Sequence, residues 1–96
     1  MITEKIGIVG AGKIGSAIAR GIITAGLVTT DQVMASDVSD SLRQAIGNEL
    51  AIRVTSDNRQ LGDFADVVIL AVKPQIVDSV VKQMAKSFDA GKLLVS

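Results

Sequence analysis

Three glycines give the first indication of chemistry. Gly10, Gly12 and Gly15 form the pattern Gly-x-Gly-x-x-Gly between a short apolar run and a segment of helical period. In this context the first glycine permits a tight turn, the second lets a pyrophosphate approach the backbone, and the third lets a helix lie close to a strand. A helix N-terminus adds unpaired N–H groups and partial positive charge. The motif predicts a dinucleotide site, and the alternative is a glycine-rich turn that binds nothing.

An acidic residue follows the second predicted strand. Asp37 comes about 20 residues after the last glycine, where a carboxylate commonly accepts hydrogen bonds from the adenosine ribose hydroxyls. The competing interpretation is that Asp37 caps the helix that begins near Ser39. A 2′-phosphate beside this carboxylate would place like charges together, and Val38 offers no cation, although Arg43 is long enough to reach back. The cofactor is therefore NADP or NAD, with a lean to NAD.

Composition excludes several classes of function. The 96 residues contain neither Cys nor His, which excludes disulfides, thiol nucleophiles, cysteine-based zinc sites and Ser–His–Asp triads. We assign no catalytic residue and no metal ligand. Ten basic residues balance ten acidic ones and only two residues are aromatic, so nucleic-acid binding is not expected. Because no apolar run reaches about 18 residues and no secretory segment precedes Ile6, we expect no membrane association and a cytoplasmic location.

Short apolar runs alternate along the chain with longer segments in which apolar residues recur with the helical period of 3.6. This alternation predicts five strands separated by helices. The predicted strands are Lys5–Val9, Gln32–Ser36, Ala51–Thr55, Asp66–Val72 and Lys92–Val95. The fourth is continuously apolar from Val67, which is typical of a strand covered on both faces. This order predicts one α/β domain with a doubly wound, Rossmann-like parallel sheet. Right-handed crossovers then give the strand order 3-2-1-4-5.

The helical segments carry predicted caps and inward faces. Gly26 is expected to end the first helix, and Ser39 or Asp40 to cap the second. Ser56 and Asp57 can cap a short helix that contains Leu61. The first helix is predicted to bury Ile14, Ala17, Ile18, Gly21, Ile22 and Ala25; the second, Leu42, Ala45 and Ile46; and the last, Ile76, Val77, Val80, Val81, Met84 and Phe88.

Three segments resemble the pyrroline-5-carboxylate reductase family. They are Ile8–Gly21, reading IVGAGKIGSAIARG; Ala35–Asp37, reading ASD; and Val68–Gln75, reading VILAVKPQ. The first and third are specific, because other reductases share the glycines but not the Ala-Val-Lys-Pro-Gln ending. The resemblance extends over essentially the whole chain and corresponds to the N-terminal part of the family's chain.

The resemblance implies an activity and a set of cofactor contacts. The family reduces the carbon–nitrogen double bond of 1-pyrroline-5-carboxylate to give proline, using NADH or NADPH. The implied contacts are Gly10, Ala11, Gly12, Lys13, Ile14, Gly15, Ser36, Asp37, Asn58, Ala71, Val72, Lys73 and Pro74. The last four would lie beside the nicotinamide. Lys13 and Lys73 can also be ordinary surface residues, Asn58 a turn or capping residue, and Pro74 a strand terminator.

The chain departs from the family in two respects. Members that use NADPH often carry an Arg where this chain has Val38. We also expect these 96 residues to lack the family's helical C-terminal domain, which supplies dimerisation, most of the substrate pocket and a proton-donating hydroxyl. We therefore expect residues 1–96 to be the NAD(P)-binding domain and to be inactive alone. The alternatives are a dinucleotide-binding module without turnover, or another reductase such as an F420-dependent NADP reductase or a beta-hydroxyacid dehydrogenase, against which Ala71–Gln75 argues.

Overall fold

The computed structural model describes residues 2–85 and 93–95, in which five parallel strands form one sheet of order β3-β2-β1-β4-β5. The strands are β1 (Ile6–Val9), β2 (Val33–Ser36), β3 (Arg53–Thr55), β4 (Val67–Leu70) and β5 (Leu93–Val95). The helices are α1 (Lys13–Thr24), α2 (Asp40–Leu50), α3 (Asn58–Phe64) and α4 (Pro74–Gln83). The predicted doubly wound fold and strand order are confirmed. Strands β1 to β4 are each shorter than predicted, and Lys92, predicted to begin the fifth strand, lies outside the described residues.

Two apolar clusters cover the two faces of the sheet. Alternate residues of a strand point to opposite faces, so Ile6 and Ile8 belong to one cluster, while Val9 belongs to the other. The first cluster includes Ala19 of α1 and Ile46 of α2, and the second includes residues of α3 and α4. The central strand β1 is buried along its whole length and pairs with both β2 and β4.

Gly7 in β1 allows α3 to pack closely on the sheet. A Cβ at this position would lie 2.6 Å from Cδ2 of Leu61 and 2.9 Å from Cβ of Ala65. Leu61, predicted within a short helix, is fully buried. The glycine therefore serves close packing of a helix on a strand, at some cost in local strand propensity.

The predicted inward face of α1 is wrong in phase. Gly15 and Ala19 are its buried residues, whereas Ile14 is 69% exposed and Gly21 is exposed with no atom within 4 Å of an ideal Cβ. Ala17 and Ala25 are exposed too, while Ile18 and Ile22 are half-buried. Each residue turns the helix by about 100°, so Gly21 lies nearly opposite the sheet-facing side marked by Ala19.

The other helices bury fewer of the predicted residues. In α2 Ile46 is buried, but Leu42 is 38% exposed and Ala45 is exposed, because this helix meets the sheet along a narrow stripe. In α4 Val80 and Met84, just after its last turn, are buried, and Val77 and Val81 are half-buried. Ile76 is 43% exposed because it faces a groove, and Phe88 lies outside the described residues.

The caps follow the sequence more closely. The Ser39 side chain accepts a hydrogen bond from the Leu42 amide and caps α2, and the Asp57 side chain caps α3. Gly26 follows the end of α1 with a φ of 74°, which is the left-handed conformation that terminates many helices. Within residues 2–85 and 93–95, no helix is long and apolar enough to cross a membrane.

An exposed ion pair joins α1 to α2. Arg20 Nε lies 2.6 Å from Glu49 Oε2, and a second nitrogen of Arg20 lies 3.0 Å from Oε1. The side-chain hydrogen bond from Arg20 lowers the pKa of Glu49. Both side chains are about half exposed, so water and salt screen the interaction and its contribution to stability is small.

Candidate functional site

A groove of about 450 Å³ opens at the carboxyl ends of the central strands, where the strand order changes direction. Open parallel sheets bind ligands at this position. The groove is lined by residues of the glycine-rich turn, of the segments after β2, β3 and β4, and of one face of α4. These residues are Val9, Gly10, Gly12, Ser36, Asp37, Val38, Ser56, Asn58, Ala71, Val72, Lys73, Ile76, Ser79, Val80 and Gln83.

The three motif glycines have different surroundings. Gly10 has a φ of 106°, and a Cβ there would lie 2.5 Å from the Ala71 carbonyl oxygen. A Cβ on Gly15 would collide with the Gly10 carbonyl oxygen, so α1 could not lie this close to the turn. Gly12 lines the groove and has no protein atom within 4 Å of an ideal Cβ. The protein itself leaves room for a side chain at Gly12, and a phosphate fits this open position beside the N-terminus of α1.

Asp37 connects the end of β2 to the glycine-rich turn. Its Oδ2 accepts a hydrogen bond from the Ala11 amide at 2.9 Å, and its Oδ1 accepts one from the Ser39 amide at 2.9 Å. Ser39, not Asp37, is the N-cap of α2. The half-buried carboxylate thus lines the groove while both of its oxygens contact backbone amides.

Arg43 reaches back to the end of β2, as its length suggested. One terminal nitrogen donates to the Asp37 carbonyl oxygen at 2.8 Å, and the other lies 3.0 Å from Asp40 Oδ1. The groove lining formed by the described residues does not include Arg43. Its guanidinium therefore stabilises the β2–α2 connection in this structure.

Asn58 takes part in a polar chain across the groove. It is the first residue of α3 and does not cap that helix, because Asp57 does. The Ser36 hydroxyl donates to Asn58 Oδ1 at 2.5 Å, and Asn58 Nδ2 donates to Gln83 Oε1 at 2.7 Å. Ser36 is 1% exposed, so its hydroxyl depends on protein partners.

The segment after β4 forms the other end of the groove. Ala71, Val72 and Lys73 line it, and the Ala71 amide donates to the Val9 carbonyl oxygen at 2.8 Å. Lys73 is exposed and is the N-cap of α4. Pro74 occupies the first turn of that helix, where its missing N–H costs nothing.

Eight of the predicted contact residues lie together in the groove: Gly10, Gly12, Ser36, Asp37, Asn58, Ala71, Val72 and Lys73. The other five lie beside it. Ala11 is buried in the turn and Gly15 in the first turn of α1, while Lys13, Ile14 and Pro74 are exposed. The Ser16 hydroxyl, in the first turn of α1, donates to the Gly12 carbonyl oxygen at 2.6 Å.

One wall of the groove was not predicted from the sequence. Ile76, Ser79, Val80 and Gln83 of α4 line it. Their spacing of three, four and seven residues places them on one helix face, but apolar members of that face were assigned to the core. Gln83 had no predicted role, although its position one turn beyond Ser79 and Val80 was a usable signal.

Comparison with known proteins places the chain in a family. Residues 5–96 match the family described as NADP oxidoreductase, coenzyme F420-dependent. The chain belongs to this family. The fold and the match together identify an NAD(P)-binding domain of an oxidoreductase.

Individual relatives and solved structures support the resemblance to pyrroline-5-carboxylate reductases. The chain is 42% identical over its full length to the Methanosarcina acetivorans enzyme of that name and covers 36% of it. The structure of a pyrroline-5-carboxylate reductase from Coxiella burnetii is 29% identical, with a TM-score of 0.89, over 98% of this chain and 34% of that one. A Plasmodium falciparum pyrroline carboxylate reductase with NADP bound is 29% identical, with a TM-score of 0.81, over 98% and 33%.

The resemblance predicted from the three sequence segments is thereby confirmed. The chain spans about a third of the length of the relatives it matches. The similarity covers the dinucleotide-binding part of those proteins. The description of the matching family as an NADP oxidoreductase is consistent with this.

Proposed function

We propose that this chain is the dinucleotide-binding part of a pyrroline-5-carboxylate reductase, and that the groove holds NADH or NADPH. The observation that carries the proposal is the open position at Gly12. A Cβ there meets no protein atom, whereas the flanking Gly10 and Gly15 are required by close backbone contacts. The chain thus keeps a glycine at a place where its own packing does not demand one, which is expected where a phosphate approaches.

The proposed role of each end of the groove follows from its chemistry. The pyrophosphate lies against the turn from Gly10 to Gly15, near the N–H groups of α1. The adenosine ribose lies beside Asp37, and Asn58 contributes a further polar contact. The segment Ala71–Lys73 lies beside the nicotinamide, which supplies the hydride that reduces an imine when the cofactor is bound. These residues bind and orient the cofactor, and we assign none of them to proton transfer.

The substrate half of the reaction is assigned to another part of the protein. We propose that residues 1–96 form the NAD(P)-binding domain, and that a small cyclic imino acid is bound mainly by a C-terminal helical domain of the kind found in the family. The same domain would mediate self-association. Hydride transfer requires reacting atoms held about 3–3.5 Å apart in an aligned pose, which demands both halves of the pocket.

We further propose a modest preference for NADH over NADPH. The Asp37 carboxylate lines the groove, and Arg43 donates to the Asp37 carbonyl oxygen and pairs with Asp40. A 2′-phosphate beside Asp37 would meet a like charge without a cation ready to receive it. The NADP-bound relative from Plasmodium falciparum shows that a protein of this kind accepts NADP, so the proposed preference is one of degree.

Titration of the purified chain tests the proposal. We expect saturable binding of NADH and NADPH in a one-to-one ratio, with NADH tighter, and much weaker binding of nicotinamide mononucleotide, which lacks the adenosine half. Intrinsic fluorescence of the reduced nicotinamide reports binding directly. Absence of saturable binding of either dinucleotide at millimolar concentration would contradict the proposed function.

A further inference from the structure

We propose that Gln83 is a positioning residue that sets the orientation of the Asn58 amide, so that Asn58 offers an N–H donor to the groove. This inference rests on the proposed dinucleotide binding and adds a residue that the family resemblance did not supply. The carrying observation is the hydrogen-bonded chain from Ser36 through Asn58 to Gln83, with donor–acceptor distances of 2.5 and 2.7 Å. We call these three residues the polar relay.

The relay joins elements that are far apart in sequence. Ser36 ends β2, Asn58 begins α3, and Gln83 ends α4. All three line the groove. Gln83 is also the last residue on the side of α4 that faces the groove. The whole of α4 spans about 15 Å at roughly 1.5 Å per residue. The relay therefore connects the far end of that wall to β2, the strand that Asp37 directly follows.

The relay uses both ends of the Asn58 amide. Oδ1 receives the Ser36 hydroxyl, while one hydrogen of Nδ2 goes to Gln83 Oε1. A side-chain amide carries two N–H donors, so the second hydrogen is available to an oxygen atom of a ligand. Rotating the amide by half a turn would present its oxygen instead, and this would repel the oxygens of a phosphate, whereas a ribose hydroxyl can pair with either end of an amide. In the observed arrangement Gln83 Oε1 accepts from Asn58 Nδ2, and this contact favours the donor orientation.

Substitutions at Gln83 separate this role from simple electrostatics. Gln83→Glu keeps an acceptor and adds negative charge, Gln83→Leu removes the acceptor at similar size, and Gln83→Lys offers only donors. Charge alone predicts that Lys tightens the binding of an anionic dinucleotide and Glu weakens it. The relay predicts the opposite order. Gln83→Glu should bind NADH within about twofold of the wild-type affinity, and Gln83→Leu and Gln83→Lys should bind it roughly fivefold to tenfold more weakly, as expected for loss of one hydrogen bond.

A neighbouring variant and a double substitution serve as controls. Lys82 is exposed and does not line the groove, so Lys82→Gln gives the same charge change as Gln83→Glu without touching the relay. In an Asn58→Ala background, Gln83→Leu should have no further effect on NADH affinity, because the two residues act through one contact. Without ligand, the Asn58 side-chain amide resonances should be well dispersed and slow to exchange in wild type and Gln83→Glu, and not in Gln83→Leu.

Titration of NADH into the 96-residue chain and these variants decides the matter. The relay is supported if Gln83→Glu binds NADH nearly as tightly as wild type while Gln83→Leu and Gln83→Lys bind it more weakly, and if the effect of Gln83→Leu disappears in the Asn58→Ala background. Equal affinity for wild type and Gln83→Leu, or affinities that follow charge, would overturn the role of Gln83 while leaving dinucleotide binding intact. If Gln83→Leu fails to fold, the comparison of Gln83→Glu with Gln83→Lys gives the same decision. Absence of binding by wild type would instead remove the proposed function and this inference together.

Discussion

The Asp37 carboxylate accepts a hydrogen bond from the Ala11 amide at 2.9 Å, across 26 residues of chain. This hydrogen bond links the residue that follows β2 to the glycine-rich turn. Since the second carboxylate oxygen accepts from the Ser39 amide, this one side chain bonds both to the glycine-rich turn, which we propose faces a phosphate, and to the start of α2. Asp37 thus has a structural role in addition to the ribose contact proposed for it.

Replacing Asp37 by Ser should narrow or reverse the preference for NADH. The change removes the negative charge that opposes a 2′-phosphate, and it also removes the bond to Ala11, so affinity for both cofactors should fall. Measurement of the two dissociation constants at physiological salt gives the ratio before and after the change. If wild type binds NADPH more tightly and the ratio is the same in Asp37→Ser, then the carboxylate is only structural.

Two glycines of α1 should respond oppositely to alanine. Gly15→Ala drives a Cβ into the Gly10 carbonyl oxygen and should destabilise the fold by about 2 kcal/mol or more, a magnitude typical of severe overpacking. Gly21→Ala adds a methyl group to an exposed helix position with open space around it, and should stabilise by about 0.5–1 kcal/mol. Urea denaturation of both variants measures the difference. A neutral Gly15→Ala would show that α1 does not pack on the turn as described.

The 96-residue chain alone should show no measurable pyrroline-5-carboxylate reductase activity. We propose that the groove of the described residues holds the cofactor and that most substrate contacts lie in another part of the protein. The absorbance of reduced nicotinamide, followed with substrate and either cofactor, provides the assay. Turnover comparable to that of a full-length reductase would contradict the proposal that most substrate contacts lie in another part of the protein.

The Arg20–Glu49 pair predicts a small pH-dependent contribution to stability. Because Arg20 lowers the pKa of Glu49 in the folded chain, the contribution is present above the unfolded pKa and is lost as pH falls through the folded one. Wild type should therefore exceed Glu49→Gln slightly in the midpoint of urea unfolding at neutral pH. The difference should shrink as pH falls below about 4.3, the ordinary pKa of an unfolded Glu, and vanish once pH is below the lowered pKa of Glu49 in the folded chain. High salt should reduce the difference at neutral pH. A difference that persists in acid would contradict this account.

The strand order and the groove position were predictable from sequence because they depend on strong, local signals. Apolar runs such as Val67–Leu70 marked the strands, and the three glycines marked the turn at which the first helix begins. The groove then follows from topology, since parallel strands bring their carboxyl ends to one edge. The phase of α1 was predicted wrongly because Ile14 and Gly21 were given weight as apolar residues. Gly15 must face the sheet, and this constraint fixes the phase instead.

Residues that act through side-chain hydrogen bonds were harder to find. Nothing in the local sequence around Gln83 indicates that it contacts Asn58, because the contact depends on the angle at which α4 crosses the groove. The bond from Ala11 to Asp37 likewise requires the turn and the end of β2 to be placed within an ångström or so. Spacing along the chain predicts which element a residue belongs to, while such pairings depend on packing between elements.

Calorimetric titration of NADH into wild type, Gly12→Val and Gly21→Val tests the central claim most directly. Both glycines have no atom within 4 Å of an ideal Cβ, but only Gly12 lines the groove. A side chain at Gly12 would occupy the place where the pyrophosphate approaches, so we expect binding to be lost or greatly weakened while circular dichroism shows the fold unchanged. Gly21→Val should bind like wild type. Equal affinity of wild type and a folded Gly12→Val would contradict the assignment of this groove to a dinucleotide.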